Sequence, residues 1–383
     1  MQRRELLKAA LQLGSATVGT AGLQACGSSA AATAPDPGSA APASAYRVDV
    51  HCHHIPDFYR LSLATHGIVT AGGIPIPPWT PELAVAFMDL YGIRMQVLSI
   101  SEPGAYYLPT SAERQALATQ INDYTHGLID SADPLLAGRF GGFAVLPLGN
   151  PDDPLDVLNA AAEARRALTG LGMDGIGLYS NYNGAYPGDP RFAPLFETLN
   201  ELGAMVFLHP VTPAALPQAL TSKITFLYEF PFDTTRAVVN MLYWQVFTLY
   251  PNIRWLIAHA GGAIPFLAYR TSLLTVFPAL GQNLAAVGLP SAGLQDGASA
   301  YAGLYYDTAL SPAPSAMRAV RAVTDVSHVM FATDWPFSAP VFIVPGNPAP
   351  QLAESFDAQE LRQVERGNAL AQFPRIAAQL GAA

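Results

Sequence analysis

Two histidines separated by one residue stand in the first apolar segment after residue 45. The segment Val48–His53 reads VDVHCH, and the period-2 geometry of a β-strand places Asp49, His51 and His53 on one face. Cys52 then points to the opposite face, where we expect a buried small side chain rather than a nucleophile. Two imidazoles on one face can bind one divalent ion at about 2.0–2.1 Å each. A His-x-His pair alone is a weak signal, so this hypothesis depends on ligands from other segments.

Further residues suited to metal chemistry end later apolar segments, namely His209, His259 and Asp334. We predict that His51, His53, His209 and Asp334 together bind one divalent ion. This donor set suits Zn²⁺, with Mn²⁺ and Fe²⁺ as alternatives, and leaves a coordination position for water or substrate. His259 is followed by Ala-Gly-Gly, small residues that let a substrate approach the backbone. We predict that His259 is a catalytic acid or base, because the pKa of an imidazole is readily tuned.

Eight apolar segments of strand length alternate with longer helical stretches from residue 46 onward. Strands that are apolar at nearly every position are typical of parallel sheets buried on both faces. We predict a (β/α)8 TIM barrel, in which functional residues lie at the carboxyl ends of the strands. An open doubly wound sheet is the alternative, but no Gly-x-Gly-x-x-Gly turn follows the first strand. The predicted strands are Arg47–His51, Gln96–Ser101, Phe140–Pro147, Gly175–Tyr179, Ala204–His209, Arg254–His259, Gly303–Thr308 and His328–Thr333, and the predicted helices include Pro81–Tyr91, Ala112–Ser131, Pro154–Leu168 and Pro190–Leu202.

The other candidate residues receive weaker assignments. His54 follows the histidine pair on the opposite parity, so we expect it to be structural or to support the ligands from behind. His66 and His126 are predicted to be surface residues, and His328 to lie at the amino end of the last strand. Asp307 ends the seventh predicted strand, where it either orients a ligand or caps the next helix.

The composition excludes several classes of protein. The 383 residues are 50% hydrophobic and 13% charged, so the chain can build a large core and is not a disordered protein. The formal net charge is −9 and no long basic stretch occurs, so we expect no nucleic-acid partner. With two cysteines the chain cannot form a disulfide scaffold or a zinc site of several thiolates.

Residues 1–26 have the pattern of an export signal, in which Arg3 and Arg4 indicate the twin-arginine route. Residues 23–27 read LQACG, a lipoprotein-like cleavage box that would make Cys26 the lipidated first residue. The alternatives are a soluble periplasmic protein cut near an Ala-x-Ala site and, more weakly, a transmembrane helix. Residues 27–45 are almost wholly small residues and proline, so we expect a disordered linker before a barrel domain over 46–383. We therefore expect an exported, periplasmic protein whose only membrane contact is a lipid on Cys26.

The motifs around these residues resemble the metal-dependent amidohydrolase superfamily, in its decarboxylase-rich branch related to aminocarboxymuconate-semialdehyde decarboxylase. Four motifs match the signatures of that branch in order: His51–His53, Leu208–Pro210, His259–Gly262 and Thr333–Phe337. Three further stretches are similar to one subgroup, the 6-methylsalicylate decarboxylases: Ile76–Thr80, Phe232–Ala237 and Ala258–Gly262. The likeness covers nearly all of the chain from Arg47 to Pro374.

The resemblance implies the same metal ligands, and it makes His259 the proton-transfer residue. Binuclear members of the superfamily carry a modified lysine at the end of strand four, but this chain has Gly177–Ser180 there, so one metal ion is expected. The aminocarboxymuconate enzyme uses an arginine in the loop after strand one, whereas the stretch Gly72–Trp79 contains none. That departure favours a substrate with a single carboxylate.

The resemblance further implies a metal-dependent, non-oxidative decarboxylase of a small aromatic or unsaturated carboxylic acid, similar to 6-methylsalicylate. We expect the phenol and carboxylate oxygens of the substrate to bind the ion, and the ring carbon to be protonated by Asp334 or through His259 and water. The residues expected to bind the substrate are Trp79, Tyr179, Phe230, Trp335 and Phe337 as aromatic walls and Arg236 as a carboxylate clamp.

Two other functions fit the same residues. A hydrolase would use metal-bound hydroxide against a lactone, amide or ester, with His259 as the base. A tethered lipoprotein could keep the barrel for binding and have lost catalysis, although a binder has no need of His259 beside the metal. The fold and the metal do not decide between these chemistries, and only the subgroup likeness favours decarboxylation. A homodimer is left open.

Overall fold

The computed structural model describes residues 46–215, 224–276, 295–342 and 346–382, together with Ala286 and Gly288. The predicted export signal over 1–26, including Cys26, and the predicted linker over 27–45 lie outside the described residues. One compact unit spans Arg47–Ala383. Among the helices that the structure describes, none combines the length and the apolar character that crossing a bilayer requires.

Eight parallel strands stand side by side in the order of the sequence. The last strand segment closes onto the first, because the Val50 amide donates to the Phe331 carbonyl at 3.1 Å and the Asp334 amide to the His51 carbonyl at 2.7 Å. The predicted (β/α)8 barrel is therefore confirmed. The strands are β1 Arg47–His53, β2 Ile93–Ser99, β3 Phe140–Ala144, β4 Gly175–Tyr179, β5 Met205–His209, β6 Arg254–Ile257, β7 Tyr305–Asp307 and β8 Val329–Met330.

Helices connect the strands and cover the barrel. The helix Pro81–Tyr91 begins at the predicted residue because the Thr80 hydroxyl accepts the Leu83 amide and Pro81 occupies the first turn. A short antiparallel hairpin, Thr70–Ala71 with Ile74–Pro75, precedes that helix. The helices are α1 Asp57–Thr65, α2 Pro81–Tyr91, α3 Ser111–Ile129, α4 Pro154–Arg165, α5 Ala193–Glu201, α6 Glu229–Tyr243, α7 Val246–Leu249, α8 Ile264–Val276, α9 Gly297–Ala302, α10 Pro314–Arg321, α11 Ala358–Arg362, α12 Asn368–Gln372 and α13 Pro374–Gln379.

Six strands end at residues other than those predicted, and the differences at β1 and β6 affect the site. β1 continues to His53, so both histidines of the pair belong to the strand. β6 stops at Ile257, and His259 stands in the turn beyond it with a left-handed backbone, φ 54°. The structure thus places His259 above the strand end rather than within the ladder.

The last strand is much shorter than the predicted His328–Thr333. It covers only Val329–Met330, because the next backbone donors bind outside the ladder to β7. The Phe331 amide donates to the Val364 carbonyl at 2.9 Å, and the Thr333 amide donates to the Asp49 carboxylate at 3.1 Å. This early departure brings the following residues over the barrel mouth.

Aromatic side chains fill the barrel beneath the mouth. Phe143 and Phe207 stack with ring centroids 5.2 Å apart, and the Phe207 ring meets the His51 ring edge-on at 4.8 Å. Both phenylalanines are almost fully buried. The histidines of β1 therefore stand on an apolar floor that excludes water from below.

Candidate metal centre

Four side chains from three places in the barrel converge at its carboxyl end. His51 and His53 extend inward from β1, His209 ends β5, and Asp334 follows β8. One ligand atom from each lies within 4.8 Å of all the others, and all four residues are buried. The set that the structure brings together is the predicted set.

The spacing of these atoms fits a shared divalent ion. The Nε2 atoms of His51 and His53 are 3.1 Å apart, and Asp334 Oδ1 lies 3.3 Å from the first and 3.0 Å from the second. Two ligands at about 2.0–2.1 Å from one ion, at tetrahedral or octahedral angles, are separated by about 2.9–3.4 Å. Three imidazoles and one carboxylate also match the donor types that zinc and manganese accept. The centre therefore fits one divalent ion.

His51 is oriented by Asp307, a residue whose role the sequence left open. The His51 Nδ1–H donates to Asp307 Oδ2 at 2.7 Å, which leaves Nε2 free to face the ion. Asp307 Oδ1 accepts the amides of His259 at 2.9 Å and Ala309 at 3.0 Å. Burial lowers the pKa of His51, but the carboxylates of Asp307 and Asp334 outweigh burial and raise it to about 10. In the ion-free protein this imidazole carries a proton that an ion would replace.

His53 is oriented by a hydroxyl from the neighbouring strand. The Ser99 hydroxyl donates to the Cys52 carbonyl at 3.0 Å and therefore accepts the His53 Nδ1–H at 2.9 Å. Burial lowers the pKa of His53, which keeps the ring neutral. The ring is thus held in the tautomer that presents Nε2 to the ion.

His209 differs from the other two imidazoles. Its Nδ1 is buried and has no hydrogen-bond partner among the described residues. Burial and the neighbouring histidines lower its pKa well below the usual value, so the ring is neutral. A neutral buried imidazole without a partner is available as a metal ligand.

His259 and Asp334 form the contact that a proton transfer requires. His259 Nε2 lies 3.3 Å from Asp334 Oδ2, the oxygen that does not face the β1 histidines. Burial raises the pKa of Asp334, but His51 and the hydrogen bonds from His259 and the β1 histidines outweigh it and lower the pKa well below the usual value. Both residues have left-handed backbones, with φ 54° and 62°, a strain that concentrates at functional sites.

Asp49, the third inward residue of β1, holds the chain that carries Asp334. Its carboxylate accepts the Thr333 hydroxyl at 2.7 Å and amide at 3.1 Å, and also the Gln96 amide group at 3.0 Å. Burial raises the pKa of Asp49 to about 6, and the bonds from Thr333 and Gln96 oppose that rise. The sequence placed Asp49 on the ligand face but gave no signal for this contact, because its partner is 284 residues away.

Three predicted aromatic walls lie near the centre. The Phe230 ring is 6.2 Å from the His209 ring, and the Phe337 ring is 5.5 Å from the His53 ring. Tyr179 ends β4 beside the end of β5, and its hydroxyl donates to backbone carbonyls of the loop after β2. Phe230 thus lies beside His209, and Phe337 lies beside His53.

The other predicted substrate-binding residues have neighbours outside the set of four ligands. Trp79 packs edge-on against His54 at 5.8 Å, on the outward face of β1. Trp335 stacks on Phe87 of α2 at 5.1 Å, because its backbone pairs with β1 and turns the ring outward. Arg236 is 47% exposed and lies 3.6–3.8 Å from two acidic side chains of its own helix, so its charge is already neutralised.

Comparison with known proteins identifies the family. The amidohydrolase family model matches residues 48–375. This chain belongs to the amidohydrolase family. It is 33% identical over 350 residues to "Decarboxylase yanB" of Aspergillus niger, covering 86% of this chain and 88% of that protein. It is 29% identical over 341 residues to the 6-methylsalicylic acid decarboxylase of Penicillium expansum, covering 86% of this chain and 97% of that protein.

A solved structure shares the fold of this amidohydrolase. The 5-carboxyvanillate decarboxylase of Novosphingobium aromaticivorans, complexed with manganese and 4-hydroxy-3-methoxy-5-nitrobenzoic acid, superposes with a TM-score of 0.68 at 18% identity. The match covers 86% of this chain and 96% of that one. The resemblance to the decarboxylase-rich branch, read from four short motifs, is confirmed over the whole barrel.

Proposed function

We propose that this amidohydrolase is a metal-dependent, non-oxidative decarboxylase of a small aromatic acid with an ortho hydroxyl group, similar to 6-methylsalicylate. The observation that carries the proposal is the buried set of four ligands, with His259 in contact with Asp334 Oδ2. The names of the relatives support it, since proteins 29–33% identical over 86% of the chain are called decarboxylases.

The reaction that we propose exchanges one carbon substituent for a proton. The bond between the ring carbon and the carboxylate breaks, its electron pair stays on the ring carbon, and CO₂ leaves. That carbon takes a proton, which we place on His259 Nε2, 3.3 Å from Asp334 Oδ2. Asp334 is the poorer donor because its pKa is held well below the usual value. Its anionic oxygen instead aligns the imidazole and stabilises the protonated ring.

We propose Zn²⁺ as the ion, held by His51, His53, His209 and Asp334, with Mn²⁺ as the second candidate. A divalent ion there would supply Lewis-acid stabilisation of negative charge on a bound phenolic acid. The manganese in the related 5-carboxyvanillate decarboxylase supports the second candidate.

The walls support a flat ligand with one carboxylate. Phe230 and Phe337 flank the ligand set at ring distances of 6.2 and 5.5 Å, as an aromatic substrate requires. Arg236 is half-exposed and engaged by acidic neighbours, so a second substrate carboxylate finds no unpaired cation there. This supports salicylate-like acids over dicarboxylates.

The decisive test is an assay of the metal-loaded protein against hydroxybenzoates, with CO₂ measured directly. We expect CO₂ release from 6-methylsalicylate or salicylate, and its loss in His259→Asn while the metal content stays at the wild-type level. Ring opening of lactones or cleavage of esters without any CO₂ would favour the hydrolase. Full metal loading without turnover of either substrate class would favour a binding protein.

We also propose that the protein is exported by the twin-arginine route and anchored through Cys26, on the strength of the residue pattern over 1–26. Replacement of Arg3 and Arg4 by lysine should keep the protein in the cytoplasmic fraction, and Cys26→Ala should abolish labelling with palmitate. Labelling that persists in Cys26→Ala would refute the anchor.

A further inference from the structure

We propose that Glu102 is a positioning residue that fixes the wall beside His209 and thereby sets the affinity for the aromatic acid. The inference rests on the proposed function and deepens it. Glu102 lies in the loop after β2, and only 9% of the residue is exposed. A carboxylate buried to that degree near the barrel mouth needs partners, and its partners identify what it holds.

Three donors from two other loops converge on this carboxylate. The Gly72 amide donates to Oε1 at 2.5 Å, and the Thr212 amide donates to Oε2 at 2.6 Å. The Thr212 hydroxyl donates to Oε1 at 3.0 Å. The loop of Glu102 is fixed in turn, because the Tyr179 hydroxyl donates to the Ser101 carbonyl at 3.1 Å. Glu102 therefore ties the loops after β1, β2 and β5 together.

The hydrogen bonds require a carboxylate at this position. All three partners donate, and the Thr225 hydroxyl must donate to Thr212 Oγ1, 3.0 Å away, because the hydroxyl hydrogen of Thr212 is engaged by Glu102. A glutamine could keep its oxygen at one position only. The side-chain NH₂ of the glutamine would then face a backbone N–H, so that two buried donors would point at each other without an acceptor. Glu102→Gln is thus nearly isosteric but breaks the connection.

The tied loops border the metal centre at His209. Gly72 has a left-handed backbone, φ 58°, and a Cβ there would lie 2.9 Å from Phe226 Cβ and 3.1 Å from Phe230 Cζ. Phe230 is the aromatic wall whose ring is 6.2 Å from that of His209. Thr212 follows His209 by three residues. One carboxylate therefore sets both the wall and the loop on this side of the site, without touching the ligand atoms.

The test compares three variants of the full chain loaded with Mn²⁺. In Glu102→Gln we expect amide hydrogen exchange in peptides 68–75 and 210–215 to accelerate at least 10-fold. We expect salicylate affinity to fall at least 10-fold, and Mn²⁺ affinity to stay within twofold. Gly72→Ala disturbs the same wall from the other side and should reproduce the loss of salicylate affinity.

Asp174→Asn is the matched control. The Asp174 side chain is also buried, 1% exposed, and accepts a glycine amide, from Gly142 at 2.9 Å, but it pairs with Arg375 and precedes β4 at the amino end of the barrel. It should change neither salicylate affinity nor exchange in the two peptides. Unchanged salicylate affinity in Glu102→Gln, or an equal fall in Mn²⁺ affinity, would overturn the positioning role.

These readouts separate the inference from the proposed function. If no hydroxybenzoate releases CO₂ but salicylate affinity and exchange shift as expected, the proposed function fails and the positioning role stands. If CO₂ is released and Glu102→Gln exchanges and binds like the wild type, the positioning role fails and the proposed function stands.

Discussion

The two sides of the metal centre are held in place by different means. On the β1 side, hydrogen bonds reach the ligand rings directly: His51 Nδ1 donates to Asp307 at 2.7 Å, and His53 Nδ1 donates to Ser99 at 2.9 Å. On the β5 side, His209 Nδ1 has no partner among the described residues. Contacts of this kind to a ligand ring fix its tautomer and orientation. The ion-binding geometry is therefore built mainly from the β1 side.

The β5 side is held through its backbone instead. The Ser180 amide donates to the His209 carbonyl at 2.9 Å, and the Val211 amide donates to the Ser180 hydroxyl at 3.0 Å. That hydroxyl donates in turn to Asp233, a fully buried carboxylate on α6. These bonds shape the loop after His209, beside which we propose that the substrate binds, rather than the His209 ring. Changes on the β1 side should therefore weaken binding of the ion, and changes on the β5 side should weaken binding of the substrate.

Asp307→Asn should produce the largest effect on the β1 side. The amide can no longer accept both the His51 ring N–H and the backbone amides of His259 and Ala309. We expect the affinity for Zn²⁺ or Mn²⁺ to fall about 10–100-fold, which competition with a chelator measures. Asp174→Asn, at the other end of the barrel, should leave that affinity unchanged. Equal affinities in Asp307→Asn and the wild type would contradict the assignment.

His54, which lies behind the ligands of β1, should make the free energy of unfolding depend on pH. His54 packs on the outward face, bonded to the Ser99 carbonyl at 2.9 Å and the Thr125 hydroxyl at 2.8 Å, and burial lowers its pKa to about 4. The unfolded chain takes up this proton near pH 6.5, so stability is complete above that pH and declines as pH falls toward 4. Between pH 7.5 and 5, ion-free protein should lose about 2 kcal/mol more unfolding free energy than His54→Asn. Parallel urea-unfolding profiles of the two proteins would refute this.

Ser99→Ala should have a smaller effect of the same kind. It removes the acceptor of the His53 Nδ1–H and leaves that buried donor unpaired. The expected loss is about 1–2 kcal/mol of ion binding, or roughly 10-fold in affinity. Thr125→Val, which removes a hydroxyl behind His54 rather than behind a ligand, serves as the comparison. A loss of ion affinity as large in Thr125→Val would show that the Ser99 contact has no special role.

On the β5 side, Phe230→Leu should have the smallest effect, and it should weaken binding of the substrate rather than of the ion. The change shortens the wall beside His209 without removing a hydrogen bond to any ligand. We expect KM for the aromatic acid to rise about 3–10-fold, in line with the loss of about 1 kcal/mol of aromatic contact, while ion affinity stays at the wild-type value. A fall in ion affinity with KM unchanged would reverse the contrast between the two sides.

The barrel and the four ligands were predictable because both depend on local patterns. Strand-length apolar segments predicted the barrel, and the functional residues of such a barrel collect at the strand ends. Even there the boundaries of β8 were wrong, because Phe331 and Thr333 donate to residues outside the ladder. Those partners are distant in sequence and leave no periodic signal.

The residues that support the ligands were harder to predict. Asp307 and Ser99 orient the ligand rings because their side-chain oxygens face the Nδ1 atoms of His51 and His53. A single sequence does not show the orientation of a side chain. Trp79 and Trp335 were predicted as substrate walls by type and proximity, and the ring contacts of each lie with His54 and Phe87 rather than with a ligand ring. Proximity in the chain to a motif is thus a weaker guide than the direction of the side chain.

The central claim is that four side chains share one ion at the barrel mouth. Anomalous diffraction from a crystal of the manganese-loaded protein tests it most directly. We predict one manganese peak per chain, about 2.0–2.3 Å from His51 Nε2, His53 Nε2, an imidazole nitrogen of His209 and Asp334 Oδ1. A peak bound elsewhere, two peaks at the mouth, or no peak from a fully loaded sample would contradict the account.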